Sequence, residues 1–137
     1  MSCWKIIGKK FFNETNVFNY SLENIGVNRM QIVNEQEMPE KGGVRYIIRG
    51  PHIDWGVITL QPGQAMGAHL HNEVEETFYI MEGTTTFILK DKEYDAKAGT
   101  ALRLEPTESH GLKNKGTTVT KMVFIKDIYR PDDKVNC

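Results

Sequence analysis

The sequence predicts an all-β domain, either a sandwich or a barrel of short strands. Segments rich in β-branched and aromatic residues recur along the chain, and turn residues such as Pro62-Gly63 and Lys90-Asp91 separate them. No long segment has a clean helical period, and the best helical candidate, residues 13–24, is interrupted by polar and β-branched residues. These patterns favour strands over helices. The predicted strands are residues 44–48, 55–60, 77–81, 84–89, 101–104 and 117–125.

Alternation within these segments indicates which side chains face the interior. Phe78 and Ile80 would point to one face of their strand, and Tyr79 to the other, because successive side chains of a strand project to opposite sides. Arg103 lies between two leucines that alternation turns inward, so we expect it to face outward.

The strand pattern divides the chain into three parts. Residues 1–42 contain scattered asparagines and few strand signals, and they predict an N-terminal arm with edge or exchanged strands. Residues 43–130 carry the predicted barrel, and residues 131–137 form a C-terminal tail. We expect the arm to wrap the barrel or to pair with another subunit.

Composition excludes several classes of protein. The 137 residues include 17 lysines and arginines and 18 aspartates and glutamates, a net charge of −1 that argues against nucleic-acid binding. No apolar run approaches the length of a membrane span, and the first residues do not resemble a signal peptide. The expected location is therefore the cytoplasm. Two cysteines do not suggest a disulfide framework.

Histidines and one carboxylate suggest a metal site. His69 and His71 are two residues apart, so both rings would project from one face of a strand. Glu76 opens a following strand, and His110 follows a proline turn further along the chain. Neutral imidazole and carboxylate groups are ordinary ligands of divalent transition metals. His52 lies next to Pro51 and is expected to be a solvated loop residue.

Two segments resemble the paired motifs of the cupin superfamily. The first family motif is G-x5-H-x-H-x(3,4)-E-x6-G, and Gly63, His69, His71, Glu76 and Gly83 match it without a gap. The second is G-x5-P-x-G-x2-H-x3-N, which the chain matches less completely. Its proline position falls on Glu105, one residue before Pro106, and its second glycine position falls on Thr107. The matching positions of this second motif are Gly99, His110 and Asn114.

The resemblance implies a single-domain jelly-roll β-barrel, also called a double-stranded β-helix, with a metal in its interior. It implies that His69, His71, Glu76 and His110 bind one divalent ion: iron, manganese, zinc, nickel or cobalt. Glu73 and Glu75 are alternatives to Glu76, and the spacing to Gly83 favours Glu76. The resemblance also implies a homodimer.

The substrate pocket is predicted from the same alternation. If Glu76 points inward, Phe78 and Ile80 on the same strand also point toward the cavity. Leucines of later strands are expected to line the cavity with them. An arginine could bind a substrate carboxylate. Asn114 is expected to support a turn rather than to contact substrate. The predicted pocket residues are Phe78, Ile80, Leu102, Leu112 and Arg45.

These residues favour a metal-dependent enzyme acting on a small organic substrate whose oxygens chelate the ion. The reaction could be that of a dioxygenase, a decarboxylase, a lyase or an isomerase. No catalytic base is assigned, and Glu108 is named only as a candidate. The alternative is a non-catalytic cupin module that binds a small ligand or sugar. We expect no nucleic-acid or membrane partner.

Overall fold

A computed structural model describes residues 10–11, 18–20 and 30–137, with side chains described from residue 31 onward. The chain divides into two units, Met1–Met38 and Pro39–Cys137. Over the described residues there is no α-helix, and no helix there is long and apolar enough to cross a membrane. The all-β prediction is confirmed.

The first unit contains a small antiparallel sheet. Strands β1 (Lys10–Phe11), β2 (Phe18–Tyr20) and β3 (Met30–Ile32) pair in that order, and a 3-10 turn follows at Glu35–Glu37. Within residues 13–24, the best helical candidate of the sequence, Phe18–Tyr20 form a strand that pairs with a strand on each side, which agrees with the preference for strands over helices. The rest of that segment lies outside the described residues, as does most of the expected arm.

The second unit consists of two five-stranded antiparallel sheets. The strands are β4 (Val44–Arg49), β5 (Asp54–Leu60), β6 (Ala65–His71), β7 (Glu76–Glu82), β8 (Thr84–Leu89), β9 (Lys92–Lys97), β10 (Ala101–Leu104), β11 (His110–Lys113), β12 (Thr120–Lys126) and β13 (Lys134–Asn136). The first sheet has the order β10-β7-β12-β5-β4 and the second has the order β13-β6-β11-β8-β9. Four of these strands lie outside the six predicted segments: β6, which is the strand expected to carry His69 and His71, and β9, β11 and β13. The last of them lies within the residues expected to form a tail.

The core lies between the inner faces of these sheets. Along β7, Phe78 and Ile80 are buried while Tyr79 is exposed, as alternation predicts. Phe78 meets Phe87 of the other sheet edge to face, with ring centroids 5.2 Å apart. Such an arrangement adds about 0.5–1.5 kcal/mol to the free energy gained by burial. Phe124 and Leu112 complete the centre of this core.

Gly56 allows two aromatic side chains to meet across β5. It is the register partner of Tyr46 on one side and of Phe124 on the other, and the two rings lie 5.2 Å apart, edge to face. A Cβ at Gly56 would lie 2.2 Å from the Arg45 carbonyl oxygen and 2.8 Å from the Phe124 ring. Any other residue would therefore force these elements apart.

Motif glycines occupy turns that need a left-handed backbone. Gly63 (φ +79°), Gly83 (φ +72°) and Gly99 (φ +89°) all have positive φ. At Gly83 space is limiting as well, since a Cβ would come within 2.6 Å of the Val119 carbonyl oxygen. The turns at Gly63 and Gly83 precede β6 and follow β7, two strands that carry the candidate site, and the turn at Gly99 precedes β10.

Candidate metal centre

Strands from both sheets bring the histidines and the carboxylate together. β6 places His69 and His71 on its inner face, and His110 of β11 is the register partner of His69 in the same sheet. Glu76 begins β7 in the opposite sheet. All four side chains are buried, with relative exposures of 6% or less. Residues far apart in sequence thus form one buried polar cluster beside the hydrophobic core.

Three of these residues form a compact group. His69, Glu76 and His110 each offer a ligand atom, and these atoms lie within 4.8 Å of one another. One Glu76 carboxylate oxygen, Oε2, lies 3.2 Å from His110 Nε2 and 3.3 Å from His71 Nε2. His71 therefore borders the group through Glu76, although it is not a member of the compact set of three.

The second nitrogen of each ring shows how the imidazoles are oriented. His69 Nδ1 lies 3.3 Å from the Gly67 carbonyl oxygen, and His110 Nδ1 lies 3.0 Å from the Glu108 carbonyl oxygen. A carbonyl oxygen only accepts, so each Nδ1 carries the proton and donates. Each Nε2 then presents a lone pair.

His71 Nδ1 faces a carboxylate instead. Asp133 Oδ2 is 3.7 Å away, and this carboxylate accepts hydrogen bonds from the backbone N–H groups of Glu73 and Val74 at 3.0 and 3.1 Å. Burial by itself raises the pKa of Asp133, but these N–H groups outweigh it and hold that pKa below its ordinary value. Asp133 thus joins the turn after β6 to the segment that precedes β13. The sequence carries no local signal for this role.

The inner atoms of the cluster fit a cation. His71 Nε2, His110 Nε2 and Glu76 Oε2 are buried and make no hydrogen bond, despite their short separations. Lone pairs directed at one another repel unless a positive charge lies between them, and buried polar atoms without partners are costly. This donor set of imidazole nitrogen and carboxylate oxygen suits a divalent transition metal.

The electrostatics favour an ionised Glu76 carboxylate and a neutral His69 ring. Burial, followed by the charge of His110, lowers the pKa of His69 to about 4. Burial alone would raise the pKa of Glu76, yet the adjacent His110 and His71 rings and the charge of Lys126 outweigh it and hold this pKa well below its ordinary value. Near pH 7, His69 is neutral and Glu76 is charged, as metal ligation requires.

The other acidic side chains near the cluster are directed elsewhere. Glu73 pairs with Arg130 at 3.2 Å, and Glu75 lies 3.8 Å from Arg103 on the exposed side. Glu108 is exposed, and its carboxylate accepts a hydrogen bond from the Glu105 backbone N–H within the same turn.

Of the predicted pocket residues, Phe78 lies beside the cluster. Its ring centroid is 5.8 Å from that of His110. Ile80 and Leu112 are buried in the hydrophobic core, and Leu102 packs against that core.

Arg45 does not face the cluster. It precedes Tyr46, which packs against the core, so alternation turns Arg45 to the opposite face of β4, where it pairs with Glu40 at 3.0 Å. Arg103 faces outward as predicted, with a side chain that is 62% exposed. His52 is an exposed loop residue.

Asn114 supports a turn, as expected. Its buried side-chain amide donates to the carbonyl oxygens of Leu60 and Thr118, and its Oδ1 accepts from the Gly116 N–H. The hydrogen-bonding capacity of this residue is therefore used within the fold.

The fold and the cluster define a double-stranded β-helix protein with a possible metal-binding group inside its barrel. Residues 56–126, about half of the chain, match the family model for the cupin domain. The chain belongs to this family.

Known proteins resemble the chain in sequence or in fold. An oxalate-binding protein from Thermotoga maritima is 36% identical over 59 residues, which cover 43% of this chain and 49% of that protein. The chain thus matches about half the length of this curated relative.

A double-stranded β-helix protein from Klebsiella pneumoniae superposes with a TM-score of 0.68 at 19% identity, covering 77% of this chain and 96% of the other. The polyketide cyclase RemF from Streptomyces resistomycificus superposes with a TM-score of 0.66, also at 19% identity, over 78% and 84% of the two chains. Both structural similarities concern the fold.

Proposed function

We propose that this protein binds one divalent transition metal ion through His69, His71, Glu76 and His110 and acts as an enzyme on a small organic substrate. The observation that carries the proposal is the meeting of buried, unpartnered Nε2 and carboxylate atoms from both sheets. Iron, manganese, zinc, nickel and cobalt all suit this donor set.

The protein's own residues would prepare the site for a substrate with chelating oxygens. When bound, the ion would supply Lewis-acid or dioxygen chemistry. The carbonyl groups of Gly67 and Glu108 orient two of the rings, and Phe78 contributes an apolar wall beside His110. A site of this kind suits a small molecule with a polar chelating end and a less polar remainder. Dioxygenase, decarboxylase, lyase and isomerase reactions are the candidate chemistries.

The test is the metal content of purified, untagged protein, measured by plasma mass spectrometry. We expect near-stoichiometric metal in the wild type and a loss of most of it, with activity, in His110→Ala. His52→Ala is the matched control, because it removes an exposed loop imidazole. Wild-type levels of metal and turnover in His110→Ala would contradict the proposal.

A second candidate function is ligand binding without catalysis. It is favoured by the similarity to a protein named for binding oxalate. A turnover screen with dioxygen-consumption, decarboxylation and isomerisation readouts separates the two. Tight binding of a small acid with no turnover in any assay would favour the binding module.

Assembly, expected from the family resemblance, and location, expected from the sequence pattern, are further proposals. We propose a homodimer, for which light scattering should give twice the chain mass of 15.7 kDa. A single species at monomer mass would contradict it. A cytoplasmic location is proposed with it, and fractionation of the producing cells would test that location.

A further inference from the structure

Lys126 is a buried cation beside the candidate metal ligands, and the predicted strand at residues 117–125 stops one residue before it. It ends β12 and is only 8% exposed. Its register partners are Glu76 on one side and Asp54 on the other. Because register partners project to the same face of a sheet, the Lys126 side chain points to the inner face with Glu76. Lysine is rarely buried this deeply without a partner.

The Lys126 ammonium has no direct anionic partner in the part of the chain whose side chains are described. No carboxylate oxygen there comes within 4.0 Å of it: Glu76 turns its Oε2 toward His71 and His110, and Asp54 lies 3.5 Å from Arg49. The nearest aromatic rings, Phe124 and Tyr46, have centroids 5.8 and 6.0 Å from the ammonium, at the outer limit of a cation–π contact.

Asp54 does not form a close ion pair with Lys126. Burial raises the pKa of Asp54, and the opposing charges of Arg49 and Lys126 do not overcome this effect. A carboxylate in a tight ion pair with lysine would instead have a lowered pKa. The ammonium is thus positioned by the sheet and is available to another anion.

A second lysine approaches from the other sheet. Lys134 of β13 is the register partner of His71, so it projects from the same face as that histidine. Burial and then the charge of Lys126 lower the pKa of Lys134, in keeping with these register positions. Two of the candidate ligands therefore have a lysine as register partner, the buried Lys126 for Glu76 and the edge-strand Lys134 for His71.

We propose that Lys126 and Lys134 form an anion-binding subsite, and that the ligand of this protein is a small organic acid whose carboxylate contacts Lys126. The inference rests on the proposed metal site, which would hold other oxygens of the same ligand. Each carboxylate group of such a ligand carries a single charge, which the ammonium of Lys126 balances. A phosphate group concentrates nearly two charges at one place and would meet greater repulsion from the nearby carboxylates of Glu76 and Asp54.

The test compares a chelator that has carboxylates with one that has none. Wild-type protein and Lys126→Met, both loaded with Zn²⁺, are titrated with oxalate and with acetohydroxamic acid in a calorimeter. Met keeps an apolar unbranched side chain and removes the charge. We expect Lys126→Met to weaken oxalate binding by about ten- to a hundredfold, because a hydrogen bond to a charged group is lost. Acetohydroxamic acid has no carboxylate to reach Lys126, so its binding should change by less than about threefold.

Two further variants sharpen the result. Lys134→Met should weaken oxalate binding by a smaller factor, about two- to fivefold, since its ammonium is more exposed. Lys97→Met removes the same charge from an exposed position on β9, at the far edge of the second sheet, and should leave binding of both probes unchanged. If Lys126→Met does not fold, Lys134→Met and the salt dependence of wild-type oxalate binding decide the question.

The outcomes separate the two proposals. A wild-type protein that takes up no metal contradicts the proposed function, and the subsite with it. A metal-loaded Lys126→Met variant that binds oxalate as tightly as the wild type, or that loses both probes equally, overturns the lysine subsite alone. Inorganic phosphate bound more tightly than oxalate would overturn the choice of a carboxylate.

Discussion

Thr107 adopts a left-handed backbone conformation, and it stands at a position where the cupin motif has glycine. Its φ is +71°, and its N–H donates to the His71 carbonyl oxygen at 2.6 Å, which connects the turn before His110 to the end of β6. A β-branched residue is strained in this conformation. The departure from the motif therefore changes the residue but keeps the turn, and His110 still reaches the cluster.

This strain predicts that Thr107→Gly stabilises the protein. Relief of the left-handed strain contributes about 1–2 kcal/mol, and the greater flexibility of glycine in the unfolded chain offsets about 0.5–1 kcal/mol of it. We expect a net increase of about 0.5–1 kcal/mol in the free energy of unfolding, measured by urea denaturation at unchanged m value. Thr117→Gly, in an exposed loop without positive φ, is the control and should be destabilising. A less stable Thr107→Gly would show that the threonine side chain is needed there.

At the scale of elements, the end of the chain supports the site. β13 pairs with β6 along the histidines, and Asp133 just before it binds the turn that follows β6. The same carboxylate faces His71 Nδ1. The separation of 3.7 Å is longer than a hydrogen bond, so the carboxylate acts on this ring through its charge. Residues that orient a ligating imidazole raise metal affinity without touching the ion, and the proposed ligation by His71 would give Asp133 this effect.

We therefore expect Asp133→Ala to lower metal affinity by about ten- to a hundredfold. Competition with a chromogenic chelator measures this change at pH 7, where Asp133 is ionised. Asp132→Ala removes the neighbouring exposed carboxylate and serves as the control. Equal affinities in the two variants would assign Asp133 a purely structural role in the turn.

At the scale of the whole molecule, the proposed ligands come from two different sheets. Glu76 belongs to the sheet of β7, and the histidines belong to the sheet of β6 and β11. An ion held by both would connect the sheets in the folded state only. Binding that is restricted to the folded state stabilises it by mass action.

Metal loading should consequently raise the melting temperature. At a free metal concentration about a hundred times Kd the stabilisation is about 2.7 kcal/mol, which corresponds to roughly 10 °C for a domain of this size. Differential scanning calorimetry with and without a chelator measures the shift. Glu76→Gln should reduce it, because the charged link from the first sheet is lost. The same melting temperature in both conditions would contradict a metal that joins the sheets.

Features that depend on near neighbours in sequence were predictable. The all-β class follows from period-two alternation and regular turn residues, and the inward face of Phe78 and Ile80 follows from the same alternation. The spacing of His69, His71 and Glu76 identified the residues of the first motif, because strand geometry alone places the two rings on one face. Local periodicity depends only on the order of neighbouring residues, so the sequence alone reveals it.

Features that depend on register and on distant partners required the tertiary structure. Arg45 was predicted in the pocket, yet the parity of β4 turns it toward Glu40. Lys126 and Asp133 carry no distinctive local pattern, and they reach the cluster because β12 and β13 pair in a particular register with β7 and β6. The sequence by itself determined the cupin fold and the candidate metal ligands. Long-range strand pairing, which no local pattern encodes, decided which charged side chains surround those ligands.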